Sequence, residues 1–191
     1  MSLAKFVAVA FIGFKLVGPA LAQDALTLSS PAMANGAPLP VDLQCQRDNG
    51  DGVSPPLVWS GVPVATQSLA LIMYHYPKGT VEGVDPPSQY WLLWNIPVGT
   101  MGLPRGNPAS LGDEGSNKDG VATGYTPPCS PTPWFSFGKS KPEHQYFIEL
   151  FALNAPLATL PTHDALSVDW TVLTAAIKDK VIASSRISFW D

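Results

Sequence analysis

The chain has 191 residues, of which 20 are Pro and 16 Gly, and only 14% are charged. Proline at that density, lacking a backbone donor and fixing φ, excludes a helical bundle and predicts short strands joined by rigid loops. A formal net charge of −4, with 11 Lys and Arg and no basic cluster, gives nucleic-acid binding no electrostatic support.

Lys5, the apolar run from Phe6 to Phe14 and the small residues Ala20 and Ala22 have the form of a secretory leader. The run is too short to stay in a bilayer as an anchor. Residues 1–22 are therefore expected to be a signal peptide and residues 23–191 one domain, periplasmic or secreted, with no integral membrane segment in the mature chain. In an oxidising compartment the two cysteines, Cys45 and Cys129, favour a disulfide. The alternative is a pair of thiolates joining histidines on a metal.

Along the chain, Leu26–Ser30 alternates weakly and predicts an edge strand. Val41-Asp42-Leu43-Gln44-Cys45 alternates apolar and polar residues and predicts a half-buried strand. Leu57–Ser60 is a short strand stopped by Gly61 and Pro63. Ser68–Pro77 and Tyr90–Trp94, the latter running on to Pro97, are apolar runs bounded by Pro and Gly, the pattern of strands covered on both faces. Gly99–Gly120 reads as loop. Within it Asp113, Glu114, Asn117 and Asp119 faintly resemble a calcium loop, but they complete no ligand set and Lys118 sits among them, so an Asx-rich turn is expected. His144–Leu153 is the third strong strand. Asp169 predicts the cap of a helix carrying Val172, Leu173, Ala176 and Ile177 at helical spacing. Val181-Ile182-Ala183 could continue it as a second short turn, and Arg186–Trp190 alternates as a closing strand.

No nucleophile elbow, phosphate-binding glycine loop or His-Glu zinc helix is present. The three histidines differ in setting. His163 lies in a polar loop and reads as a solvated turn residue. His75 and His144 close or open apolar runs beside Tyr74, Tyr76 and Tyr146, and Tyr90 opens another. Imidazole and phenol groups at one rim can hydrogen-bond an anionic oxygen. The plainer reading is a set of satisfied polar residues capping a sheet.

Asp51-Gly-Val-Ser-Pro-Pro-Leu-Val-Trp-Ser-Gly-Val-Pro63 followed by Ala65–Leu71 resembles the opening signature of the phosphatidylethanolamine-binding protein family. The resemblance continues through the strand ending Asn95-Ile96-Pro97, the Gly124–Pro131 loop and the His144–Leu153 strand, and covers roughly residues 26–190. It is nearest the bacterial exported branch, which pairs a Cys before the Ser-Pro motif with one in the Pro-rich loop and so implies a Cys45–Cys129 bridge. It also implies a mainly β fold, a large antiparallel sheet packed on a smaller sheet with short C-terminal helices, and an anion pocket at the rim.

In that family the pocket uses an Asp-Pro-Asp-x-Pro loop, a His before the strand Trp, and a His-x-Tyr pair. Here His144 and Tyr146 keep the last pair. His75 stands where the first Asp is expected, and Tyr90 where the His is expected. The expected ligand-binding set is His75, Tyr90, His144 and Tyr146, for a small anion or phospholipid head group, with no cofactor and no catalysis. Two other readings stay open: an interaction module for an exported protein partner, and a metal-assisted hydrolase built on His75 and His144 with Glu143 as a third ligand.

Overall fold

The structure, a computed structural model, describes residues 25–107, 111–129 and 144–191. The expected leader and its cleavage point lie outside these residues, as does Glu143.

Two sheets form the domain. The smaller has the order β1-β3-β6, from β1 (Thr27–Ser29), β3 (Leu57–Ser60) and β6 (Gly102–Leu103). The larger has six strands in the order β2-β9-β8-β4-β5-β7. These are β2 (Ala37–Pro38), β4 (Ser68–His75), β5 (Ser88–Ile96), β7 (Asp113–Glu114), β8 (Gln145–Leu153) and β9 (Val181–Trp190). All its pairings are antiparallel except the short parallel pair of β2 with β9. The one α-helix among the described residues, α1 (Trp170–Ile177), precedes β9.

Strand alternation puts two different cores on the two faces of the large sheet. Leu69, Leu71 and Met73 of β4, Ile148 and Leu150 of β8, and Ile187 and Phe189 of β9 point towards the small sheet, where they meet Leu28, Leu57, Trp59 and Leu103. Ala70, Ile72, Leu92 and Trp94 point the other way, onto Leu157, Leu160, Val168, Leu173 and Ile177. Because β4 is central and covered on both sides, all eight of its residues are buried. That explains why its inner residues 69–74 run continuously apolar rather than alternating.

Asp169 caps α1 as expected, its Oδ1 accepting from the Val172 amide at 2.9 Å. Leu173 and Ile177, four residues apart, seat the helix on the sheet, and each contributes roughly 1.5–3 kcal/mol of burial.

Three expectations are corrected. Val41–Leu43 is a turn of 3-10 helix, not a strand. Pro40 opens it, the Leu43 and Gln44 amides bond to the Pro40 and Val41 carbonyls, and Val41 is left 58% exposed. The backbone donors here are satisfied locally, so the apolar–polar alternation carried no strand. Val181–Ala183 does not prolong the helix. The Lys180 amide closes on the Ile177 carbonyl, and the β-branched Val181 and Ile182 then enter β9. Residues 99–120 are not loop throughout: Gly102–Leu103 pairs with β3 and Asp113–Glu114 with β5, because their backbones find free strand edges there. The expected Asx-rich turn follows β7, with Asn117 Oδ1 accepting from the Asp119 amide.

Candidate functional site

One end of the core between the sheets is closed by aromatic and imidazole rings instead of aliphatic side chains. His75 continues the Leu69-Leu71-Met73 face of β4 at its last position, and Tyr146 lies opposite it on β8. His144, two residues before Tyr146, is tied at the sheet's edge by two backbone bonds with Asp191, each 3.0 Å.

Tyr90 reaches the same face through an irregularity in β5. The β4–β5 register shifts by one between Met73↔Trp91 and Tyr74↔Gln89, so Tyr90 is the extra residue of a bulge. It therefore shares the small-sheet face with its neighbour Trp91 instead of alternating with it. The same slip sends Gln89 elsewhere. Its Nε2 donates to the Ser116 carbonyl and its Oε1 accepts from the Trp170 amide at the start of α1, both within 2.8 Å.

The structure brings all four sequence-selected residues together. The His75 ring lies 4.9 Å from Tyr146, 5.1 Å from His144 and 6.5 Å from Tyr90, and Tyr90 meets Tyr146 edge-on at 5.0 Å. Tyr146 is stacked on Phe189 at 5.4 Å, which fixes its plane against the core. His75, Tyr90 and Tyr146 are buried, while His144 is half-buried at the rim. His163 is exposed in its loop, away from this group.

The protonation of His75 follows from its contacts. Its Nδ1 lies 3.1 Å from the Gln145 carbonyl oxygen. A carbonyl can only accept, so Nδ1 carries a proton and Nε2 is left to the site, as an acceptor in the neutral ring and a donor in the cation. Burial pushes the imidazole below its ordinary value, against the opposing pull of the Gln145 carbonyl, and His144 and Lys118 push it further down. Burial also raises the Tyr90 phenol, and its hydrogen bond with Tyr146 works the other way. An incoming anion would favour the charged imidazole and the protonated phenols.

Sequence reasoning did not single out Lys118, Gln89 or Tyr125. Lys118 and Asp119 line, with Ser88, Gln89 and Asp169, a cleft of about 460 Å³ next to the strand end that bears His75. Only the folded loop places Lys118 close enough to act on His75. Nothing in its local sequence distinguishes it from a solvated turn lysine.

Cys45 and Cys129 are bonded, with Cα atoms 5.4 Å apart. The bridge anchors the stretch 125–129, whose Thr126 amide donates to the Tyr90 carbonyl at 2.8 Å. Among the described residues, one group of three His, Cys, Asp or Glu ligand atoms is close enough to share an ion: Cys45, Asp48 and Cys129. Two of its members are already bonded to each other.

Comparison with known proteins gives a consistent set. A Chlamydia pneumoniae UPF0098 protein is 35% identical over 140 residues, covering 69% of this chain and 79% of that one. A Mycobacterium tuberculosis protein named as a lipoprotein, LppC, is 29% identical over 158 residues, covering 83% and 70%. Among solved structures, the Chlamydia trachomatis phosphatidylethanolamine-binding protein homologue CT736 superposes with a TM-score of 0.69 at 28% identity, over 87% of this chain and 97% of that one. Escherichia coli YbcL shares the fold, with a TM-score of 0.68 at 22% identity over 87% and 98%. The family model described as phosphatidylethanolamine-binding protein matches residues 29–189. That span runs from the first strand of the small sheet to the last strand of the large one, and the chain belongs to the phosphatidylethanolamine-binding protein family.

Proposed function

We propose that this chain is an exported binding protein for a small phosphate-like anion, held by His75, His144, Tyr90 and Tyr146, and that it binds without turning its ligand over. The observation that carries the reading is the meeting of two imidazoles and two phenols at one end of the core, with His75 Nδ1 committed to a backbone carbonyl. A ring oriented in that way presents Nε2–H to an anion once it is protonated. The adjacent Lys118 adds positive potential. Export is supported by the Cys45–Cys129 disulfide and by a relative named as a lipoprotein.

The test is calorimetric titration of the purified protein with inorganic phosphate and with a short-chain phosphatidylethanolamine. Binding of both indicates recognition of the phosphate group, and binding of the lipid alone indicates that the head group and tail contribute as well. Absence of binding by either between pH 5 and 8, or binding untouched by His75→Ala, would end the reading.

A further inference from the structure

Tyr125 carries a hydroxyl that the free protein does not use. Its ring stands edge-on to Trp91 at 5.7 Å and packs against the core cluster that includes Tyr90 and Tyr146. The next residue, Thr126, is bonded through its amide to the Tyr90 carbonyl. The ring is partly buried, and its hydroxyl oxygen, shielded from solvent, has no hydrogen-bond partner.

The other buried polar rings of this domain behave differently. Trp59 donates to the Thr100 carbonyl, Trp91 to Glu114, Trp94 to the Pro161 carbonyl and the Tyr74 hydroxyl to Glu149. A buried hydroxyl without a partner is unfavourable, and phenylalanine would fill the same space without that penalty. The position also fits the site. The Thr126 amide bond to the Tyr90 carbonyl and the Trp91 ring contact set Tyr125 beside the part of β5 that carries the Tyr90 phenol.

We propose that Tyr125 is a fifth ligand-binding residue, its buried hydroxyl donating to the anion held by His75, His144, Tyr90 and Tyr146. The inference rests on reading that group as an anion pocket. It adds that the anion reaches inward beyond the imidazoles, past Tyr90, to the Trp91 level of the core. A ligand that fills the site must therefore offer an acceptor at its buried end as well as charge at the rim.

Tyr125→Phe removes only the hydroxyl and allows two measurements. Calorimetric titration with inorganic phosphate should show about tenfold weaker binding than the parent, the effect of losing one hydrogen bond to a charged group. Thermal unfolding without phosphate should give a melting temperature equal to or above the parent's, because an unpaired buried hydroxyl has gone. Parental phosphate affinity in Tyr125→Phe, with His75→Ala still impaired, overturns the inference and leaves the pocket reading standing. A melting temperature several degrees lower without phosphate also overturns it, since the hydroxyl would then be satisfied inside the free protein. Weakened binding in Tyr125→Phe with no effect of His75→Ala keeps Tyr125 as a ligand and removes the imidazole-centred pocket. A parent protein that does not bind phosphate overturns both.

Discussion

Replacing Cys45 and Cys129 together by serine removes the bridge without leaving a reactive thiol, and the loop length sets the expected loss. The bonded positions are 84 residues apart in sequence, for which the chain-entropy relation gives about 4.5 kcal/mol at 25 °C. In a domain of this size each kcal/mol moves the melting temperature by about 2–4 °C. The double variant should therefore melt about 9–18 °C below the parent. In urea the midpoint should fall while the m-value rises, because an unbridged unfolded chain exposes more surface. Adding reductant should bring the parent to the variant's midpoint and leave the variant unchanged. Two free thiols in denatured, unreduced protein, or a variant that melts with the parent, would refute the reasoning. The loss also has a local component. Cys129 closely follows Tyr125 and Thr126, the latter bonded to Tyr90, so phosphate affinity should fall in the double variant at temperatures where it is fully folded.

His75→Ala and His144→Ala should each weaken phosphate binding about tenfold or more while far-UV circular dichroism stays that of the parent, as expected when a charge-assisted hydrogen bond is removed. Phosphate affinity should decline as pH rises from 5 to 8, since binding favours the protonated His75 imidazole. A flat profile would leave a neutral hydrogen-bonding pocket and exclude the charge mechanism. The free protein should show the opposite trend. Folding lowers the His75 value from 6.5, so the unfolded chain takes up the proton first, and stability is lost as pH falls below about 6.5 towards the folded value; the His75→Gln variant should lose that dependence in thermal scans. Asp169→Ala removes the cap on α1 and should cost about 1 kcal/mol, read as a melting temperature about 2–4 °C lower.

The parts of this protein legible in its sequence are those where one physical signal dominates. Residues 69–74 form an unbroken run of aliphatic and aromatic residues because β4 is central and covered on both faces. Asp169 followed by helical spacing gave the helix start to the residue. His75, Tyr90, His144 and Tyr146 were legible as a set because each stands at the end of a run whose topology the family resemblance supplies. Val41–Cys45 misled because three apolar residues at alternate positions look alike in a strand and in a turn of 3-10 helix. What differs is whether a neighbouring strand is there to take the amides, and that is a property of the fold. The burial of Tyr125 was illegible for a related reason. Its surroundings come from Trp91 on β5 and from a loop fixed by a bond to Cys45, positions far from it in sequence.

The extra residue at Tyr90 constrains how this chain can change length. Trp91 and everything after it in β5 keep one phase relative to β4 as far as Leu93, while Gln89 and Ser88 keep another. Deleting any one residue from Ser88 to Tyr90 would let the two phases merge into a regular ladder. The phenol would then leave the small-sheet face or Gln89 would leave the amide of Trp170, because a strand in one phase cannot present both. A deletion of this kind would preserve β5 as a strand and leave its hydrophobic pattern nearly intact, yet separate the pocket from the seat of α1. Substitutions can thus change the ring cluster one ring at a time, whereas a single-residue gap here would act on both faces of the sheet at once.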